Sequence, residues 1–61
     1  MLWSTMIQKL IDSGLSQHEI AEACNCSQTV ISLLYTGKRS NPKYKTGNAI
    51  EKLYNEIIRN S

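Results

Sequence analysis

The 61-residue chain has one histidine, one proline, one tryptophan, no phenylalanine and only two cysteines. No apolar run approaches the ~20 residues needed to cross a bilayer, so a membrane-spanning helix is excluded. The opening residues, MLWSTM, are mixed rather than apolar, and Lys9 and Asp12 follow soon after, so no secretory leader is expected. The expectation is a cytoplasmic protein, in a compartment where thiols stay reduced. With one histidine and no paired acids in a pocket-forming sequence, little is left for catalysis; neither an enzyme nor a small-molecule substrate is expected. No stretch alternates apolar and polar residues with the period of a strand. A chain this short has room for a single domain, residues 1–61. It would bury only about 60% of its unfolded surface, so a metal, a disulfide or a partner chain would each help it.

The cysteines stand as C-x-C, Cys24 and Cys26, with His18 upstream. A structural zinc site needs four ligands, commonly in paired sets, and this spacing with one histidine does not supply them. No metal and no cofactor are expected, and the sulfur of both residues is expected to be incidental.

Charge is uneven along the chain. Residues 1–35 hold Lys9 against Asp12, Glu19 and Glu22, a net −2. Residues 36–61 hold Lys38, Arg39, Lys43, Lys45, Lys52 and Arg59 against Glu51 and Glu56, a net +4, with four cations packed between 38 and 45. A basic cluster of this kind points to a polyanionic partner, although a solvated loop has the same composition.

Apolar spacing then divides the chain into helices. Met6, Ile7, Leu10 and Ile11 share one helical face, with Ser4 or Thr5 as the cap before them and Gly14 as the terminator after. Leu15-Ser16-Gln17-His18-Glu19-Ile20 carries a capping box, Ser16 with Glu19, and a hydrophobic staple, Leu15 with Ile20, which predicts a second helix from Gln17. Its apolar face continues through Ile20, Ala21 and Cys24, and Asn25 interrupts it with a residue that tolerates the left-handed conformation. Ser27 caps a third helix from Gln28 to about Thr36, Cys26 takes the staple position ahead of Ile31, and Gly37 ends it. On this helix Ile31 and Leu34, with Val30 at the margin, face one way; Gln28, Thr29, Ser32, Leu33 and Thr36 face the other. A polar loop with Asn41-Pro42 follows, and a last helix, at about 44–59, carries Tyr44, Gly47, Ile50, Leu53, Tyr54, Ile57 and Ile58 along one stripe.

Two short helices joined by a three-residue turn match the helix-turn-helix unit, here at 17–36. The segment GLSQHEIAEACNCSQTVISLLYTGKR, residues 14–39, resembles the lambda-repressor/Cro-type family of phage and bacterial transcription regulators. The resemblance covers residues 6 to about 44 and rests on Leu15-Ser16-Gln17, Glu19-Ile20-Ala21, Cys26-Ser27-Gln28, Ile31-Ser32 and Gly37-Lys38-Arg39, with Pro42 beyond. It implies an all-α, compact bundle of four or five helices. It also implies a Cro-like repressor that occupies a palindromic double-stranded DNA operator. Three positions depart from the family pattern. Leu10 and Tyr35 stand where many members carry an Arg–Glu pair, and Asn25 stands where glycine is common. Beyond Tyr44 the usual leucine-rich pattern gives way to Gly47, Asn48, Glu51 and Lys52, which predicts one long final helix rather than two short ones.

The resemblance implies that helix three reads bases, and the residue chemistry suits that role. Gln28 has the donor and acceptor for a bidentate pair with adenine; Thr29 has a methyl for thymine, Ser32 bonds to several base edges, and Leu33 makes apolar contact. Gln17 at the start of helix two, Ser27, Lys38, Arg39 and Lys43, with Lys45 as a further candidate, are the expected phosphate contacts. Regulators of this type bind as dimers, and Trp3, Tyr54, Ile57 and Ile58 are the candidates either to pair two copies weakly or to close the chain's own core. The alternative is a small helical protein-interaction module that uses the outer face of helix three.

Overall fold

A computed structural model describes residues 2–59; Met1, Asn60 and Ser61 of the expected domain lie outside it. Four α-helices follow one another: α1 Trp3–Asp12, α2 Gln17–Ala23, α3 Gln28–Tyr35 and α4 Tyr44–Tyr54. A π-helical turn, Asn55–Arg59, continues α4. Among the described residues there is no strand, and the chain is all-helical, as its apolar spacing predicts.

The first three helices stop in the same way. Gly14, Asn25 and Gly37 have φ of 115°, 55° and 81°, the left-handed conformation that reverses a chain after a helix. At the end of α1, Leu15 N donates to Leu10 O and Gly14 N to Ile11 O; at the end of α2, Cys26 N donates to Ala21 O and Asn25 N to Glu22 O. These paired bonds satisfy carbonyls that a helix end otherwise leaves open. The C-x-C spacing follows directly: Cys24 closes the inner face of α2, Asn25 turns, and Cys26 supplies the second N–H. Both thiols are free.

The starts differ from helix to helix. Ser16 Oγ accepts from Glu19 N at 3.1 Å while Ser16 N donates to Glu19 Oε1 at 3.0 Å, so the capping box is complete. Ser27 Oγ accepts from Val30 N at 3.3 Å and caps α3. The start of α1 departs from expectation: neither Ser4 nor Thr5 is its cap, because the helix begins at Trp3 and Leu2 precedes it with no side-chain bond. The reason is a tertiary contact. Trp3 extends the Met6–Ile7–Leu10 stripe by one turn and lies against Gly47 of α4, where an added Cβ would meet the indole at 3.2 Å.

Every helix contributes to one core. Ile7 and Leu10 of α1, Ile20 of α2, Ile31 and Leu34 of α3 and Ile50 of α4 are all essentially sealed from solvent. Met6, Ala21, Cys24 and Tyr54 complete it at 3% to 8% exposure. Each sealed Ile or Leu stabilises the fold by roughly 1.5–3 kcal/mol relative to exposure, and among the described residues no charged side chain is buried. Tyr44 was expected on the inner stripe of the last helix but is 82% exposed. It is the first residue of α4, at the end of the polar loop and outside the core that Gly47, Ile50 and Tyr54 of the same helix enter.

Candidate nucleic-acid interface

The outward side of α3 is the clearest surface feature that the core creates. Ile31 and Leu34 point inward, and Val30 is half-buried at their flank. This fixes the opposite face: Gln28, Thr29 and Thr36 are exposed, while Ser32 and Leu33 are half-buried. The Thr36 hydroxyl is occupied within the chain, donating to Ser32 O at 2.9 Å. Gln28, Thr29 and Ser32 have no side-chain hydrogen bond among the described residues, so their donors and acceptors face outward unspent. No charge stands on α3. The helix therefore offers short, neutral hydrogen-bonding groups, held in register by a sealed inner face.

Cations follow the helix. Lys38, Arg39, Lys43 and Lys45 are exposed, and among the described residues none of them is ion-paired. Arg39 N donates to Leu33 O at 3.1 Å, so the backbone of this loop is tied to the C-terminal end of α3. Lys43 is also the residue that precedes α4, with no side-chain cap bond there. An open groove of about 480 Å³ runs beside these residues, with Cys26, Val30, Arg39, Lys43, Tyr44 and Lys45 among its lining. Exposed Tyr44 adds an aromatic ring between Lys43 and Lys45, an interleaving with basic residues that its place in the sequence also marks.

Gln17, half-buried, is the first residue of α2. The N–H groups of Gln17 and His18 have no partner among the described residues, as the first turn of a helix requires. The Glu19 carboxylate in the same turn places a negative charge there, which opposes an incoming phosphate. His18 is paired with Glu22 at 3.0 Å on the exposed side of α2. Thus the phosphate candidates divide: Lys38, Arg39 and Lys43 bring unopposed charge, while Gln17 brings N–H groups beside a carboxylate. Ser27, another candidate, has its hydroxyl engaged as the cap of α3.

The dimer candidates divide too. Tyr54 belongs to the chain's own core, and Trp3, Ile57 and Ile58 are half-buried against it. Leu10 and Tyr35, which stand where the resembled pattern carries an Arg–Glu pair, hold a different arrangement: Leu10 is sealed, and the Tyr35 hydroxyl donates to Gln8 Oε1 at 2.6 Å. Gln8 was not singled out from the sequence.

Burial pushes the Cys24 thiol up to about 11, with Cys26 adding a smaller push, and burial also raises Cys26. Both favour the protonated thiol, the form least suited to binding a metal or attacking an electrophile. Among the described residues, no three His, Cys, Asp or Glu side chains converge as metal donors. No helix of the described residues is long and apolar enough to cross a membrane.

Against known proteins, the chain is similar to protein P2 of Acyrthosiphon pisum secondary endosymbiont phage 1, a name that states no activity. The two are 41% identical over 56 residues, which is 92% of this chain and 60% of that protein, so the chain spans less than two thirds of its relative's length. No family model and no solved structure matches the chain.

Proposed function

We propose that α2, the turn at Asn25 and α3 form a helix-turn-helix, and that the chain is a phage-type Cro-like repressor binding double-stranded operator DNA. The observation that carries this reading is the outer face of α3. Gln28, Thr29 and Ser32 stand outward, without side-chain hydrogen bonds among the described residues, on a helix fixed from behind by Ile31 and Leu34. Lys38, Arg39 and Lys43, not ion-paired among the described residues, follow it directly. Such a face hydrogen-bonds to base edges in a major groove, and such cations hold the phosphates on either side. The likeness to a phage protein supports a phage origin.

Regulation follows from occupancy: a protein seated on an operator excludes polymerase. Two copies on adjacent half-sites would have centres about 34 Å apart. The longest Cα extent of the chain is 28 Å, somewhat shorter than that spacing, so a contact between such copies would be small. A weak dimer that assembles fully on DNA fits those dimensions, with Trp3, Ile57 and Ile58 as its candidate contacts.

The test is binding to duplex DNA as salt is varied. The reading expects binding at low salt that weakens steeply, with a log–log slope of about −0.9 for each phosphate contacted. No affinity for duplex at low salt would remove the reading and leave the outer face of α3 as a protein-contact surface.

A further inference from the structure

Tyr35 sits at the last position of α3 and reaches back to α1. Its hydroxyl donates to Gln8 Oε1 at 2.6 Å, and Gln8 Nε2 donates in turn to Asp12 Oδ1 at 2.8 Å. Tyr35 and Gln8 are half-buried, so the first of these bonds is partly shielded from water. It is also the side-chain hydrogen bond, among those of the described residues, that joins two different helices.

Its place on α3 gives it a consequence. Tyr35 follows Gln28 by seven residues, and at about 100° per residue that returns to within roughly 20° of the same direction. The two residues therefore share one stripe of the helix, at opposite ends. Ile31 and Leu34, with Val30 beside them, hold α3 against the core, and the Tyr35–Gln8 bond adds a directional constraint on its roll at the C-terminal end of the helix. Dispersion contacts are non-directional, whereas a hydrogen bond is sensitive to both distance and angle. A roll of α3 that swings Gln28 sideways carries the Tyr35 hydroxyl off Gln8.

We propose that Tyr35 and Gln8 are positioning residues for base recognition: their hydrogen bond sets the roll of α3 and so aims Gln28. The inference rests on the operator-binding reading and deepens it.

Two variants test it from opposite sides. Tyr35→Phe keeps the ring and removes the donor, while Gln8→Ala removes the acceptor. The readout is the ratio of affinities for the site selected by the wild-type chain and for the same site changed at the base pair that Gln28→Ala ceases to distinguish. Each variant is expected to retain its helical signal and its low-salt affinity for random duplex, while the ratio falls roughly two- to tenfold, the span of one net hydrogen bond. The double variant should fall no further than either single one, and Gln8→Glu, which keeps an acceptor oxygen for Tyr35 but loses the donor to Asp12, should retain part of the ratio that Gln8→Ala loses. An unchanged ratio in a folded variant overturns the inference, as does an equal loss on random and selected DNA. Should Tyr35→Phe fail to fold, Gln8→Ala decides alone. A wild-type chain with no preference among sequences would instead remove the operator reading, and the inference with it.

Discussion

Helices α2 and α3 are seven and eight residues long, each begins after a serine cap, and each ends at a residue with positive φ. They differ in what their outward polar groups do. On α2, Glu19 is spent on the capping box and Glu22 on His18. On α3, the cap is a single bond from Ser27, no acid stands in its first turn, and among the described residues Gln28, Thr29 and Ser32 have no side-chain hydrogen bond. A helix whose polar groups satisfy one another is stabilised from within, whereas one that leaves them outward offers them to a ligand. The two helices share a plan and divide its purposes between them.

The comparison should vanish at the inner faces and reappear at the outer ones. Ile20→Ala and Ile31→Ala remove equally sealed side chains, and each is expected to cost about 2–5 kcal/mol of stability in denaturant unfolding. For a domain of this size that is most of its stability. At the outer face, Gln28→Ala should leave unfolding within about 0.5 kcal/mol of wild type. It should also remove roughly 1–3 kcal/mol of discrimination at one base pair, seen by comparing affinities for matched and mismatched duplexes. Lys38→Ala, by contrast, should weaken all sequences alike and lower the salt slope by about 0.9.

The caps should rank as their bonds do. Ser16→Ala together with Glu19→Ala breaks both bonds of the box and is expected to cost about 1–2 kcal/mol in unfolding, against about 0.5–1 kcal/mol for Ser27→Ala. A reversed order would break the comparison at its base. The smallest effect lies where the helices join. Folding raises the Cys24 thiol from 9.0 to about 11, so the folded chain holds its proton where the unfolded chain releases it. The stability that this contributes is complete below pH 9 and is lost as pH rises toward 11. Urea midpoints at pH 8 and pH 9.5 should therefore show a modest alkaline loss, smaller in Cys24→Ala than in wild type.

Much of this was legible in the sequence, and what was legible is local. The capping box at Ser16 and Glu19, the left-handed turn at Asn25 and the inward pair Ile31 and Leu34 are each fixed within about four residues, where spacing and residue chemistry suffice. The start of α1 was not legible, because Trp3 is drawn into the helix by Gly47, far along the chain. The Tyr35–Gln8 bond crosses 27 residues and joins two polar groups that no periodicity marks. Tyr44 was placed on the apolar stripe of the last helix by its residue type, but the first position of a helix need not meet the core. On the candidate interface, the outward residues of α3 followed from helical geometry alone; the Glu19 carboxylate beside Gln17 was visible in the capping box, and its opposition to phosphate emerged when both were set in one turn.

The central claim is that the outer face of α3 reads DNA sequence, and selection of duplexes bound by the wild-type chain from a random pool tests it most directly. The account predicts enrichment of a palindromic site with half-sites about one helical turn apart, and loss of one base preference in each half when the selection is repeated with Gln28→Ala. A pool that emerges with no enriched sequence, or the same site selected unchanged by Gln28→Ala, would contradict it.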